Sequence, residues 1–287
     1  MNTEKSRLKR HSLSFAFSHL LVRFKIVSLP SFSQVFEYGC KRNLAVISMS
    51  VKIHVKKECR FEGCTFITGF HSVIGEAGYI AVRHIIKNLD PERIGIIETK
   101  LLPPFVWFKG GGLALPFELF KYENFVMLFP RVLPHADEHK EFAFTIAEWV
   151  VKEKFSKAIL IGGLDSRFRQ GSEAFRIVAT RAGYPEALKL GAPFLDEELG
   201  VFGPLALMLA YFELSDFPAI TILPFAERGR PDPRAAAVAI DVLKEKYGLP
   251  VETESLIQDA KEIEAEIEKI LKQQERELGG GEEGMYI

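Results

Sequence analysis

Thiols are scarce in this chain of 287 residues, which holds three cysteines, Cys40, Cys59 and Cys64, and no Cys-x-x-Cys pair. That scarcity excludes a disulfide-stapled scaffold and a zinc ribbon, and points to a reducing compartment with structural or incidental thiols. No uninterrupted apolar run reaches the roughly 20 residues that a membrane-spanning helix needs. A surplus of either charge is also missing: 37 Lys and Arg stand against 38 Asp and Glu, so the chain as a whole has no basic footprint for nucleic acid. What is present is the 47% hydrophobic, 26% charged mixture of an ordinary folded protein, without an internal repeat.

The near-neutral total averages two unlike parts. Residues 1–48 hold eight Lys or Arg and two Asp or Glu, a net of +6, which leaves the following 239 residues with −7. The same segment contains eight Ser and sustains neither helical nor strand periodicity. Basic, Ser-rich and acid-poor is the composition of an organellar transit peptide, and residues 13–22 pass for a poor secretory apolar region with no A-x-A pattern after it. Met49 directly precedes a strand-like segment, residues 50–56, and is read as the start of the folded protein, with residues 1–48 a mis-assigned extension.

From Met49 onward short apolar runs alternate with amphipathic stretches. Residues 65–69 read as a strand and 75–89 as a helix with Ala77, Ile80, Ala81, His84 and Ile85 on one side. Residues 93–98 form a second strand. Residues 106–117 read as a hairpin turning at Lys109-Gly110-Gly111-Gly112, because consecutive glycines accept the positive φ of a tight turn. A buried strand over 125–129, a helix over 137–154, a strand over 158–162, an apolar helix over 204–212 and a strand over 219–223 follow. Residues 232–247 predict a helix with Asp232 as N-cap, Pro233 at its first position and Gly248 closing it.

This order argues for a three-layer αβα sandwich around a mostly parallel sheet, one domain over residues 49–250. Ligands and partners of such sheets meet the carboxyl ends of the strands, here residues 69–78, 162–168 and 224–230. Beyond the domain, 251–278 reads as a helical arm. Its segment 255–278 is charged, with a narrow apolar stripe from Leu256 to Leu271, and reaches about 36 Å at 1.5 Å per residue. Residues 279–287 read as a flexible tail: Gly279-Gly280-Gly281, then Glu282-Glu283-Gly284, then Met285-Tyr286-Ile287.

The polar constellations of the domain are weak as chemistry. Gly69, Gly75 and Gly78 follow a strand and open a helix, as a phosphate cradle does, but no Lys-Ser/Thr follows and Glu76 puts negative charge where an anion would sit. Tight packing of strand on helix is the alternative. His135 and His139, four apart, have zinc-ligand spacing without a visible third ligand. Asp165, Ser166 and Arg167 share a loop, without a histidine placed to complete a triad. Glu227, Arg228, Arg230 and Arg234 stand in a similar loop. No catalytic, cofactor-binding or metal-binding residue is assigned. The apolar tip Met285-Tyr286-Ile287 offers a carboxylate, a phenol and a buriable ring, a small plug for a receptor pocket.

Four motifs carry a resemblance. Gly69-Phe70 through Gly75-x-x-Gly78, Ile161-Gly162-Gly163, Gly200-Val201-Phe202-Gly203-Pro204-Leu205 and Gly229-Arg230-Pro231-Asp232-Pro233-Arg234-Ala235-Ala236 resemble the proteasome assembly chaperone two family, particularly its archaeal members, over about residues 60–275. The resemblance implies a phosphorylase/hydrolase-like fold without established catalytic residues, and binding to proteasome α subunits or the assembled core particle. It implies that Met285, Tyr286 and Ile287 act as the hydrophobic-Tyr-X ending by which proteasomal activators dock between α subunits. It further implies a cytoplasmic homo-oligomer, with a tetramer as the working number, that binds neither nucleic acid nor membrane and needs no cofactor. The competing reading is a phosphorylase- or ligase-like enzyme that binds a nucleotide at the Gly-rich strand ends.

Overall fold

In the computed structural model of the chain, residues 51–265 are described. In chain order the elements are β1 (Lys52–Val55), β2 (Thr65–Gly69), α1 (Ala77–Leu89), β3 (Glu92–Glu98), β4 (Trp107–Lys109), β5 (Gly112–Ala114), β6 (Phe117–Tyr122), β7 (Phe125–Pro130), α2 (His139–Lys152), β8 (Lys157–Ile161), β9 (Leu164–Asp165), β10 (Phe175–Ala179), α3 (Tyr184–Ala187), α4 (Gly203–Leu214), β11 (Ala219–Ala226) and α5 (Pro233–Tyr247). A further helix runs over 254–265.

The main sheet has the order β1-β3-β6-β7-β2-β8-β11-β10, with β9 paired to the end of β11. Its centre, β7-β2-β8-β11, is parallel, and every side chain of β2 and β11 is buried, as strands covered on both faces require. The flanks are antiparallel: β1 on β3, β3 on β6, β6 on β7, and β10 on β11. The sheet is therefore mixed rather than mostly parallel.

Two differences from the sequence reading have local causes. The second arm of the Gly-rich hairpin stops at Ala114, and β6 begins afresh at Phe117 after Pro116, whose missing N–H cannot extend a ladder. β10 escaped the reading because Arg176 interrupts its apolar run. That guanidinium is buried and pairs with Glu173 at 2.9 Å and Asp196 at 3.9 Å.

Helices cover both faces. On one, α1 and α5 pack over Ile67, Met127, Ile159 and Ile222. On the other, α2 and α4 pack over Phe66, Val126, Leu160 and Phe117. Phe66, Phe117, Phe142 and Phe212 are fully buried, each worth about 1.5–3 kcal/mol of transfer free energy. The start of α5 follows the capping argument: the Asp232 carboxylate accepts from the Ala235 N–H at 3.1 Å, Pro233 stands in the first turn, and Gly248 ends the helix at φ +73°.

The 254–265 helix lies against this body. Leu256 is buried in the α1/α5 core, Ala260 is also buried, and Arg234 holds Glu264 through two hydrogen bonds of 2.8 and 2.9 Å. His84, on the buried side of α1, hydrogen-bonds the Glu252 carbonyl at 2.8 Å and ties down the connection. The expected arm thus starts on the domain surface, and the remainder of it lies outside the described residues. No helix among the described residues is long and apolar enough to cross a membrane.

Candidate protein-interaction site

β2, β7, β8 and β11 run parallel, so the loops that follow them gather at one edge of the sheet. The loops after β2, β8 and β11 are stitched together by backbone. Ile74 bridges Arg228, the Gly229 N–H donates to the Val73 carbonyl at 2.8 Å, and the Asp232 N–H donates to the Gly75 carbonyl at 2.8 Å. The glycines serve close approach. A Cβ on Gly78 would stand 2.2 Å from the Ile161 carbonyl oxygen, and one on Gly163 would stand 2.6 Å from that of Ile74. Packing, the alternative to a phosphate cradle, is what these glycines do. Gly75 adds a left-handed φ of +63°, and α1 then begins at Glu76 without a side-chain cap.

Several polar groups of this edge are engaged with one another. Asp165 is buried and accepts from Arg167 Nε at 3.0 Å, Nη2 at 2.7 Å and the backbone N–H at 3.1 Å, which holds its carboxyl at about 2, well below the usual range. Ser166 donates to Glu227 at 3.0 Å, and the Glu227 N–H donates to Asp232 at 3.0 Å. His71 stacks on Tyr79 with ring centroids 3.6 Å apart and hydrogen-bonds the Arg131 carbonyl at 3.0 Å. Among the described residues the partner of the Ser166 hydroxyl is the Glu227 carboxylate, and no histidine hydrogen-bonds it.

His135 and His139 are used locally as well. The Asp137 N–H donates to His135 Nδ1 at 3.3 Å, and His139 Nε2 bonds the Pro134 carbonyl at 3.0 Å. Among the described residues no three His, Cys, Asp or Glu side chains gather as a metal site. Burial pushes the Cys64 thiol above its ordinary pKa, which fits a packing role.

What the edge offers instead is shape and apolar surface. A cavity of about 300 Å³ opens between the β8 end and the loop before α4, lined by Ile74, Gly163, Phe168, Leu199, Val201 and Leu205. Phe202 stands at its mouth, 82% exposed. Sequence reasoning left Phe202 inside a motif without a role. The signal was the following Gly203-Pro204 pair, which starts α4 at φ +71° and leaves Phe202 extended before it. A second cavity, of about 210 Å³, lies between Ser166, Arg169, Arg230 and the 254–265 helix. Such surfaces offer a partner apolar area and charge, and the second cavity carries the carboxylates of Glu227, Asp232 and Glu264 among its arginines. The residues expected to dock, Met285, Tyr286 and Ile287, lie outside the described residues.

Comparison with known proteins agrees with this geometry. An uncharacterized protein of Methanocaldococcus jannaschii, MJ0106, is 27% identical over 229 residues, spanning 78% of this chain and 92% of its own. The crystal structure of Pyrococcus furiosus PbaA, described as an archaeal homolog of proteasome-assembly chaperone, superposes with a TM-score of 0.66 at 24% identity, covering 79% of this chain and 98% of PbaA. That of P. furiosus PbaB, described as an archaeal proteasome activator, gives 0.64 at 19% identity, over 77% and 99%. The model of the PAC2 family matches residues 66–271, which take in every element from β2 to α5 and leave out β1, and the chain belongs to that family.

Proposed function

We propose that the protein is a non-enzymatic proteasome assembly chaperone or activator that binds proteasome α subunits, or the α ring, through Met285-Tyr286-Ile287. The observation that carries this reading is membership of the PAC2 family over residues 66–271, together with a fold shared with PbaA and PbaB. It is supported by a strand-end rim that presents exposed Phe202 beside an apolar cavity of about 300 Å³. The domain associates with copies of itself in the cytoplasm, with a tetramer as the working number, and the segment after residue 265 presents the tail. Each tail binds weakly. Several on one oligomer raise the effective concentration to roughly millimolar and strengthen binding by about a hundredfold or more.

The test is capture of the proteasome core particle by immobilised protein. Deleting Met285–Ile287, or the substitution Tyr286→Ala, abolishes capture and leaves the oligomer mass unchanged. Capture of an assembled α ring by the truncated protein with undiminished affinity overturns the tail assignment.

A further inference from the structure

The connection between β3 and β6 is spent on a hairpin that buries little of itself. Leu101, Leu102, Phe105, Val106, Phe108 and Leu113 are all exposed, Phe108 by 79%. With part of Trp107 they present roughly 700 Å² of apolar side chain, more than a monomer ordinarily leaves in water. The hairpin is nonetheless fixed at both ends. The buried Glu138 carboxylate accepts from the Leu101 N–H at 2.9 Å, and Arg93 donates to the Leu113 carbonyl at 2.7 Å. Between them Arg131 lies 5.8 Å from the Trp107 ring. A loop held this way is preorganised for contact and has no slack to fold over onto its own domain.

We propose that the hairpin is the knob, and the 300 Å³ cavity behind Phe202 the socket, of a head-to-tail contact between copies of this chain. This rests on the self-association proposed above and names its contact. Three observations select a second copy as the occupant. The exposed area matches the roughly 800 Å² per partner of a stable interface. The cavity is apolar and large enough for a phenyl ring, since about 150 Å³ holds benzene. The charges are complementary. Exposed Lys100 stands at the base of the hairpin, while exposed Glu197 and Glu198 flank the cavity, and none of the three has an ion-pair partner among the described residues. Two hairpins packed face to face would bring like charges together. A knob and a socket built from different residues make a heterologous contact, which closes into a ring when the rotation allows.

The experiment is the solution mass of the full-length chain by light scattering at about 100 µM, with thermal melts to verify folding. Wild type is oligomeric. Phe108→Glu and Phe202→Glu, both at exposed positions, each yield monomers, with association weakened at least about thirtyfold. An equimolar mixture of the two forms one-to-one dimers, because one supplies an intact socket and the other an intact knob. Glu198→Lys weakens the oligomer and adding Lys100→Glu restores it. A monomeric wild type, a folded Phe108→Glu chain of wild-type mass, or a mixture that stays monomeric overturns the proposal. Core-particle capture is scored separately. Tail-dependent capture with no hairpin effect on mass sinks the contact alone, and an intact oligomer that ignores the tail sinks only the docking reading.

Discussion

Arg131 grips the carboxylate of Glu118 with two hydrogen bonds, from Nε at 3.0 Å and Nη2 at 2.7 Å, while its guanidinium lies 4.7 Å from the Phe129 ring. Glu118 is 1% exposed and also accepts from Arg93 at 2.8 Å, so a single buried anion organises two cations beneath the hairpin. Removing it strands Arg131, which is largely buried. Glu118→Ala is expected to cost about 2–4 kcal/mol, at the lower part of the range for broken buried pairs because Arg93 reaches solvent. Urea unfolding measures the loss. In a Trp149→Phe background the remaining Trp107 should shift its emission to the red as the hairpin loosens.

Asp232 serves two donors, the Ala235 N–H of the first turn of α5 and the Glu227 N–H of the preceding loop. Asp232→Ala should lower stability by about 1–2 kcal/mol, the cost of a lost cap. Asp232→Asn keeps one acceptor oxygen of the two, so it should recover the cap on the Ala235 N–H and lose the bond from the Glu227 N–H. Thermal melts of the two variants side by side decide the point, and equal losses would count against the capping role.

Gly78 has no room for a side chain: a Cβ would lie 2.2 Å from the Ile161 carbonyl oxygen, which belongs to a central strand and cannot move away alone. Gly78→Ala is expected to destabilise by about 3 kcal/mol or more, although alanine is the better helix former. Expression level and denaturant midpoint report it.

Asp165 sets an acid limit. Its folded pKa of about 2 lies below the ordinary 3.8 of an aspartate, because Arg167 binds the ionised form. The stabilisation is therefore complete above pH 4 and is lost as the pH falls through 2. Asp165→Asn should lower stability at pH 7 and flatten the acid limb between pH 4 and 2. A titration of unfolding midpoint against pH checks it, and parallel curves for the two proteins would contradict the assignment.

Several parts of the fold were legible in the chain because their causes are local. Asp232-Pro233 and Gly248 bracket α5, since a cap, a fixed φ and a left-handed residue act within one turn. Lys109-Gly110-Gly111-Gly112 marks the hairpin for the same reason, with Gly110 and Gly111 at positive φ. β10 was not legible. Its Arg176 is tolerated in the interior only because Glu173 and Asp196 come to meet it, one of them from another segment.

The site divided the same way. The glycines of 69–78 were visible, but a phosphate cradle and a close packing contact look alike until the Ile161 carbonyl is found against Gly78. Likewise Asp165, Ser166 and Arg167 are adjacent in the chain, while the partner of the Ser166 hydroxyl, Glu227, comes from the loop after β11 and is found only in the fold.

Composition and local pattern by themselves determined that this is a thiol-poor αβα protein with an uneven charge distribution, because periodicity, capping and charge counts need no distant partner. Only the tertiary structure decided which apolar residues stay in water. Phe108, Phe142 and Phe202 are one residue type in the sequence. Burial separates them: Phe142 fills the core under α2, while Phe108 and Phe202 face solvent. The physical reason is that burial is a property of the surfaces that meet, and those surfaces exist only once the sheet has assembled.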